Sequence, residues 1–161
     1  MAILLEDSVL IGWVVGFVDG EGCFSVSFNQ RQKLNTKIEV RPSFSISQKA
    51  ISKDCIACFE QYFEGGAIRY SKNDGTWKYE TRKLTHIVDK VIPFFQQYPL
   101  RTNKKNDFNL FCEICSSIKQ NQHLNSIGLE EIIRKAYKMN SAGKRKYTLE
   151  EILEIFRRNV I

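Results

Sequence analysis

Near the N-terminus, three glycines are accompanied by two carboxylates that could bind a metal ion at the end of a helix. Gly12, Gly16 and Gly20 recur at every fourth residue, so a helix would place them on one face that carries no side chains. Because each glycine costs a helix about 1 kcal/mol relative to alanine, we infer that another helix must approach this face closely. The same helix of a second copy is the natural candidate. The run then ends in Asp19-Gly20-Glu21-Gly22.

The chemistry of this acidic end depends on the second copy. We expect the helix to run from an N-cap at Ser8 to about Asp19. In a dimer packed through the glycines, two Glu21 carboxylates would meet and repel each other unless divalent cations lay between them. Such a centre suits phosphodiester hydrolysis, because metal ions polarise a phosphate and lower the pKa of bound water. Taken alone, the acidic tetrapeptide is more often only a helix C-cap and turn.

The remaining periodicity predicts the elements that must position this centre. Phe24, Val26 and Phe28 alternate with polar residues and predict a strand, whose hairpin partner carries Val40, Phe44 and Ile46. A second hairpin joins 67–72 to 77–83 through Asn73-Asp74-Gly75. Helical spacing covers 51–63, 85–98 with a break or restart at Pro93, 102–118, 127–140 and 149–158, the last with Thr148 and Glu151 in capping-box spacing.

This order of elements predicts an α+β fold. It reads αββαββα, with a four-stranded antiparallel sheet that forms a saddle, helices on one face of the sheet, and further C-terminal helices. At 161 residues, we expect a single domain over 1–161.

The predicted polar face of the sheet could lie against DNA. Short hydroxyl and amide side chains beside arginine suit hydrogen bonding to base edges in a major groove, although any one-sided sheet also presents polar residues to water. A basic loop before the last helix adds to this surface. The expected DNA contacts are Ser25, Ser27, Asn29, Arg31, Lys33, Lys37, Arg41, Ser43, Ser45, Lys49, Arg69, Ser71, Lys78, Glu80, Arg82, Lys144, Arg145 and Lys146.

The composition favours a polyanionic partner and argues against a membrane-spanning or secreted protein. The formal net charge is +6, which favours nucleic acid. The longest apolar run, 9–18, is shorter than the ~20 residues that cross a bilayer, and no secretory signal precedes it, so we expect no membrane partner and an intracellular, reducing compartment. Lysine exceeds arginine, and isoleucine and asparagine are abundant, as in proteins from AT-rich organellar genomes.

Two CxxC pairs have a spacing typical of zinc ligands, but the sequence around them favours cysteines that pack in the core. Cys55 with Cys58, and Cys112 with Cys115, fall inside helical apolar patterns and lack a glycine-bearing knuckle. We therefore expect reduced cysteines and no structural zinc.

The sequence Trp13-Val14-Val15-Gly16-Phe17-Val18-Asp19-Gly20-Glu21-Gly22 resembles the signature helix of the LAGLIDADG homing endonucleases. The resemblance extends along nearly the whole chain. It includes Ser47-Gln48-Lys49, Pro93-Phe94-Phe95, Tyr98-Pro99-Leu100, Lys104 before Asp107-Phe108, and Gly128-Leu129 through Met139-Asn140. A single copy of the signature implies a homodimer, with an interface formed by Gly12, Trp13, Gly16, Phe17 and Gly20.

The resemblance also implies roles for individual residues. Glu21 and the Gly20 carbonyl would hold Mg²⁺ or Mn²⁺, and Asp19 would support the helix end. Gln48 would orient the hydrolytic water, and Lys104, with Asn103 and Lys105 as neighbouring alternatives, would lie near the scissile phosphate. A further basic residue is expected shortly after Gln48, at Lys53 or at the position of Ser52.

The function implied by the resemblance is site-specific cutting of double-stranded DNA. The homodimer would bind a long pseudo-palindromic site and hydrolyse both strands. The alternative is a nuclease-inactive relative that binds nucleic acid, either an RNA maturase that assists intron splicing or a DNA-binding regulator. A basic scaffold domain is a third possibility, but it would leave the glycine face unexplained.

Overall fold

The computed structural model describes the backbone of residues 2–141 and 143–160 and the side chains of residues 8–141 and 143–158. Its strands are β1 (Gly22–Gln30), β2 (Ile38–Lys49), β3 (Ala67–Ser71) and β4 (Thr76–Thr81). Its α-helices are α1 (Ala2–Glu21), α2 (Lys53–Tyr62), α3 (Leu84–His86), α4 (Ile92–Gln97), α5 (Lys104–Lys119), α6 (Ser126–Ala136) and α7 (Leu149–Val160). The predicted αββαββα order is confirmed.

The start of α1 differs from the prediction. The helix already includes Ala2 and continues to Glu21, so Ser8 lies inside it and the expectation that Ser8 is the N-cap is wrong. The residues before Ser8 include Ala2, Leu4, Leu5 and Glu6, which have high helix propensity and favour an earlier start than a capping signal alone suggests. The acidic end of the helix now includes Glu21 in its last turn.

The described strands form one sheet in the order β1-β2-β4-β3. Antiparallel register places Ser45 opposite Glu80 and Gln48 opposite Trp77. Because paired residues point to the same side, one side of β2 and β4 carries Phe44, Ile46 and Tyr79, and the other carries serine and charged residues. The prediction of one apolar and one polar face is confirmed for these strands.

The chain divides into two compact units. The first contains Met1–Cys23 and Ser43–Lys105, and it therefore includes α1, the second half of β2, and the β3–β4 hairpin. Its core is rich in aromatic residues: the Phe44 ring packs edge-on against Phe63 and Phe95, with centroids 5.6 and 5.7 Å apart. These contacts attach the apolar side of the sheet to the residue that follows α2 and to helix α4.

The second unit contains Phe24–Pro42 and Asn106–Ile161. The Phe24 ring lies 5.1 Å from Phe108 and 5.4 Å from Phe111, so the apolar side of β1 packs on α5.

Both CxxC pairs lie in helices, in α2 and α5, as the periodicity predicts. Burial raises the pKa of the Cys112 thiol to about 12. None of the helices formed by the described residues is long and apolar enough to cross a membrane.

Helix boundaries follow local chemistry at three further places. The predicted restart at Pro93 is confirmed: α4 begins at Ile92 with Pro93 in its first turn, and a π turn at Ile87–Val91 precedes it, because proline offers no N–H to the carbonyl one turn earlier. The capping box of α7 is confirmed, since the Thr148 N–H donates to Glu151 at 2.7 Å and the Glu151 N–H donates to Thr148 at 3.1 Å. Helix α6 ends at Ala136, four residues earlier than predicted, and Asn140 adopts a left-handed backbone.

Gly66, which precedes β3, is a position where only glycine fits. Its φ is +95°, and an added Cβ would lie 2.5 Å from the Tyr79 ring. We expect Gly66→Ala to destabilise the fold by about 3 kcal/mol, because left-handed strain and overpacking add. Gly75→Ala is the matched control: its φ is +65°, but the nearest atom is 3.9 Å away, so only about 1 kcal/mol should be lost. Urea unfolding of both variants measures the difference, and equal losses would contradict this explanation.

Candidate active site and nucleic-acid interface

The C-terminal end of α1 is held in place by Asp19. Its carboxylate accepts hydrogen bonds from the Arg101 N–H at 2.7 Å and from the Thr102 hydroxyl at 2.6 Å, and the Thr102 N–H donates to both carboxylate oxygens at 3.1 Å. Burial works to raise the pKa of Asp19, but the hydrogen bonds from Thr102 and Arg101 and the charge of Lys104 outweigh it and lower that pKa. These bonds agree with the expectation that Asp19 supports the helix end.

Lys104 lies at the same helix end. Its ammonium donates to the carbonyl oxygen of Val18 at 2.9 Å and to that of Gly20 at 3.3 Å. A helix C-terminus carries partial negative charge and unpaired carbonyls, so a cation is favoured there. Lys104, the first choice among the three neighbouring candidates at 103–105, thus bonds through its side chain to the end of α1.

Glu21 projects from this end into solvent. Its side chain is exposed, and within the described part of the chain it forms no ion pair or hydrogen bond. Beside it, the Gly20 carbonyl already faces a cationic group. Carboxylate and carbonyl oxygens are the donors that Mg²⁺ prefers, so the residues at this end fit a divalent cation. The described residues contain no cluster of three or more His, Cys, Asp or Glu side chains that could hold a metal.

Gln48 and Lys53 share an aromatic neighbour. Gln48 is opposite Trp77 in the sheet register, and the Lys53 ammonium lies 4.7 Å from the centroid of the Trp77 ring. Gln48 is half-buried and Lys53 is exposed. The cation–π contact holds the Lys53 charge beside Trp77, and the role of Lys53 as the basic residue near Gln48 stays a prediction.

The glycine face of α1 is open. A Cβ built on Gly12, Gly16 or Gly20 would meet nothing within 4 Å, so the contacts within this chain do not require these glycines. Next to them, Trp13 stacks on Phe59 of α2 with centroids 5.3 Å apart and keeps 36% of its surface exposed. Phe17 also contacts Phe59. The two predicted interface aromatics therefore already pack within the chain along the edge of the open face.

Most of the polar residues expected to contact DNA are exposed or half-buried, but three are not. Ser43, Ser45 and Glu80 are only 7%, 6% and 5% exposed, so the prediction that they lie open on the sheet is wrong. They are covered because the basic side chains of β3 and β4 converge on the Glu80 carboxylate. The exposed or half-buried residues of the predicted set are Ser25, Ser27, Asn29, Arg31, Lys33, Lys37, Arg41, Lys49, Arg69, Ser71, Lys78, Arg82, Lys144, Arg145 and Lys146.

Arg145 also departs from the prediction. Its guanidinium donates to the carbonyl oxygens of Val26 and Met139 at 3.0 and 3.1 Å, and also to that of Ala136, and it lies 4.6 Å from the Tyr137 ring centroid. Arginine side chains near a helix C-terminus satisfy its unpaired carbonyls. Arg145 thus holds the segment after α6 through its bonds to backbone carbonyls, while Lys144 and Lys146 remain exposed.

The sequence pattern missed the partners of Asp19 and Glu80. Thr102 is separated from Asp19 by more than 80 residues, and no local spacing connects them. For Glu80, the sequence did contain a signal. Lys78, Glu80 and Arg82 alternate at the end of β4, and this alternation places an acidic side chain between two basic side chains on one side of the sheet.

The hydrogen bonds to Asp19 give a pH-dependent prediction. Asp19→Asn should lower the free energy of unfolding at neutral pH by about 1–2 kcal/mol, because an amide is a weaker acceptor and its NH₂ opposes the N–H donors. Since the native pKa is lowered, this contribution is present well above 3.8, the ordinary value, and is lost as the pH falls through the native pKa. Urea unfolding curves of wild type and variant should converge in acid. Asp89→Asn, at an exposed position, is the control, and a constant difference at all pH values would refute the assignment.

Comparison with known proteins assigns this helix end to a family. A family model described as "LAGLIDADG endonuclease" matches residues 14–115. Homing endonuclease I-ApeII of Aeropyrum pernix is 30% identical over 94% of this chain and 92% of its own length. A probable intron-encoded endonuclease 2 of Neurospora crassa is 33% identical, but the match covers 75% of this chain and only 25% of that longer protein.

Solved structures agree with the sequence relatives. The crystal structure of the homing endonuclease I-TnaI superimposes with a TM-score of 0.81 at 31% identity, covering 92% of this chain and 97% of that one. The archaeal intron-encoded homing endonuclease I-Vdi141I, complexed with DNA, gives 0.86 at 27% identity over 95% and 98% of the two chains. Because the family model matches more than half of the sequence and the similar structures cover nearly all of it, the chain belongs to the LAGLIDADG endonuclease family.

Proposed function

We propose that this protein is a site-specific endonuclease that cuts both strands of a long pseudo-palindromic DNA site as a homodimer. The observation that carries the proposal is the helix end at which exposed Glu21 lies beside a carbonyl that already binds a cationic group, since Lys104 donates to Gly20 at 3.3 Å. Family membership and the DNA-bound I-Vdi141I structure support it.

The proposed centre uses one chain's Glu21 carboxylate and Gly20 carbonyl to hold Mg²⁺ or Mn²⁺. When bound, the ion supplies Lewis-acid chemistry, which polarises a phosphate and lowers the pKa of a water ligand. Asp19 fixes the direction in which Glu21 projects, because its bonds to Arg101 and Thr102 hold the last turn of α1. Closure of the centre requires the same end of a second copy.

Two side chains are proposed to act on the phosphate and the water. The Lys104 ammonium, which bonds to the end of α1, would neutralise charge that develops on a phosphate oxygen bound beside this helix end. The Gln48 amide oxygen can accept a hydrogen bond from the attacking water and its NH₂ can donate to a phosphate oxygen, so Gln48 would orient both. Lys53 above Trp77 adds positive charge near Gln48.

The open glycine face is proposed as the dimer interface. Glycines every fourth residue let two helices approach closely, and the exposed side chains of Val9, Leu10 and Trp13 adjoin this face. A homodimer formed through this face would have two-fold symmetry, which in turn suits a pseudo-palindromic site.

We also propose that the protein is encoded in an intron and acts inside the cell, in an organelle. Support comes from relatives named as intron-encoded endonucleases, including a second one, Cox1-I1b of Schizosaccharomyces pombe, and from the base composition that the residue usage implies.

A cleavage selection tests the proposed function. The purified protein is incubated with a pool of long randomised duplexes, with Mg²⁺ or with EDTA, and the ends of the cut molecules are sequenced. We expect double-strand cuts at one pseudo-palindromic consensus with Mg²⁺ only. Selective binding without cutting under Mg²⁺ or Mn²⁺ would contradict the endonuclease and favour the nuclease-inactive alternative, which a splicing assay on structured RNA would then examine.

A further inference from the structure

A buried carboxylate on the polar side of β4 binds three basic side chains at once. The Glu80 side chain is only 4% exposed. One of its oxygens accepts hydrogen bonds from the Ser43 hydroxyl at 2.9 Å, from Lys78 at 3.2 Å and from Arg82 at 3.1 Å. Arg69 pairs with the other oxygen. The carboxylate therefore connects residues of three neighbouring strands or strand ends.

The register of the sheet provides the space for this cluster. Glu80 lies between Ser45 of β2 and Ala67 of β3, and these two small side chains leave room for the carboxylate. The basic side chains cover it and remain accessible themselves, at 59% for Arg69, 37% for Lys78 and 48% for Arg82. Glu80 holds the charged group of each basic side chain on its buried side, and the other N–H donors of that group face solvent.

The cluster is stable enough to keep its geometry at neutral pH. A buried carboxylate is unfavourable unless it is paired. Burial works to raise the pKa of Glu80, but the Ser43 hydrogen bond and the charges of Lys78 and Arg82 lower it. Glu80 is therefore ionised in the native protein, and the cluster of three cations and one anion keeps a net positive charge.

We propose that Glu80 is a positioning residue for DNA recognition: it fixes Arg69, Lys78 and Arg82 in one arrangement, so that their remaining donors read base edges instead of binding any nearby phosphate. This inference rests on the proposed function, because it assumes that the polar side of the sheet faces DNA. It replaces the expectation that Glu80 itself contacts a base.

Two physical effects connect the cluster to specificity. First, long basic side chains lose rotamer entropy on binding. Side chains that are already held in one arrangement lose less entropy, so a DNA site that matches this arrangement is bound more tightly. Second, phosphate contacts give affinity without sequence information, whereas fixed donors at base edges discriminate between bases. A carboxylate among the cations also disfavours a close phosphate, so it lowers non-specific affinity.

The first hairpin contains a looser version of this arrangement. Glu39 pairs with Arg31 at 3.2 Å and with Arg41 at 3.5 Å, but its side chain is 26% exposed, whereas that of Glu80 is 4% exposed. Glu80 is thus the better position for a test.

The test measures discrimination and salt dependence separately. Binding is measured without divalent metal, to the consensus duplex recovered by the wild-type protein and to one unrelated duplex of equal length, at several salt concentrations. Glu80→Gln removes the charge, and Glu80→Asp keeps the charge but shortens the reach. Glu130→Gln is the matched control, because it also removes a carboxylate paired with an arginine, Arg134, but on helix α6.

We expect the ratio of consensus to unrelated affinity to fall about tenfold in Glu80→Gln and also in Glu80→Asp, roughly the discrimination of one base contact. Only Glu80→Gln should bind the unrelated duplex more tightly and with a steeper salt dependence, since a freed cation adds a phosphate contact. Glu130→Gln should keep the wild-type ratio.

The outcomes separate this inference from the proposed function. If the wild-type protein prefers no duplex sequence, the proposed function fails. If the wild type discriminates and both Glu80 variants keep its affinity ratio, the function stands and the positioning role is overturned. If circular dichroism shows that Glu80→Gln does not fold, Ser43→Ala takes its place, because it removes only the hydroxyl bonded to Glu80. Ser43→Ala must then lower the ratio of consensus to unrelated affinity, and an unchanged ratio refutes the proposal.

Discussion

Replacement of Glu21 by glutamine is expected to reduce DNA cutting by about 10³-fold or more, while binding to the target stays within a few-fold of wild type. Glutamine has nearly the same shape but no charge, and a neutral amide is a poor ligand for Mg²⁺. A loss of this size corresponds to about 4 kcal/mol of transition-state stabilisation. The exposed position of Glu21 means that folding should be unaffected.

Single-turnover cleavage of the selected duplex measures this effect, and gel mobility shift measures binding. Glu131→Gln, at an exposed position on α6, controls for the loss of one negative charge and should cut at the wild-type rate. A Glu21→Gln protein that still cuts within tenfold of wild type would remove Glu21 from the active centre.

Gly16→Leu is expected to weaken dimerisation by at least 100-fold without destabilising the single chain. A Cβ at Gly16 meets nothing within 4 Å in this chain, and leucine is the better helix former by somewhat less than 1 kcal/mol. In a dimer packed through the glycine face, however, the added side chain would separate the two helices and remove their close contact. Cutting should be lost along with dimerisation.

Sedimentation velocity across a dilution series measures the dimer, and circular dichroism with urea unfolding checks the fold. Gly16→Ala adds only one methyl group and should give an intermediate dissociation constant. A Gly16→Leu protein that remains fully dimeric at wild-type concentrations would show that the interface lies elsewhere.

Alternation and helical spacing predicted most of the elements because burial decides them locally. The apolar sides of β1 and β2, the αββαββα order and the α7 capping box all follow from neighbouring residues. The start of α1 was mispredicted because a good capping residue at Ser8 carries no information about the helix-forming residues before it.

The candidate site could be predicted only in part. Glu21 stands out through the glycine spacing, but Gln48 shares the side of β2 that carries Phe44 and Ile46, so periodicity alone treats it as a core position and only the family resemblance selected it. The link from Asp19 to Thr102, and from Lys104 to the carbonyls of α1, depends on tertiary packing between distant segments. Arg145 and Glu80 were mispredicted for the same reason: a charged residue in a polar pattern can be fully engaged by partners that the pattern does not show.

The central claim is that two copies of the acidic end of α1 meet at one centre, and a cross-linking experiment tests it most directly. Glu21→Cys is treated with a short bismaleimide, and the products are separated by denaturing electrophoresis, with the linked residue identified by mass spectrometry. We predict a covalent dimer joined through position 21 in both chains. Neither the wild-type protein, with its own cysteines, nor Asp74→Cys in the exposed β3–β4 turn should give this product. A Glu21→Cys protein that sediments as a dimer but forms no link at position 21 would contradict the claim.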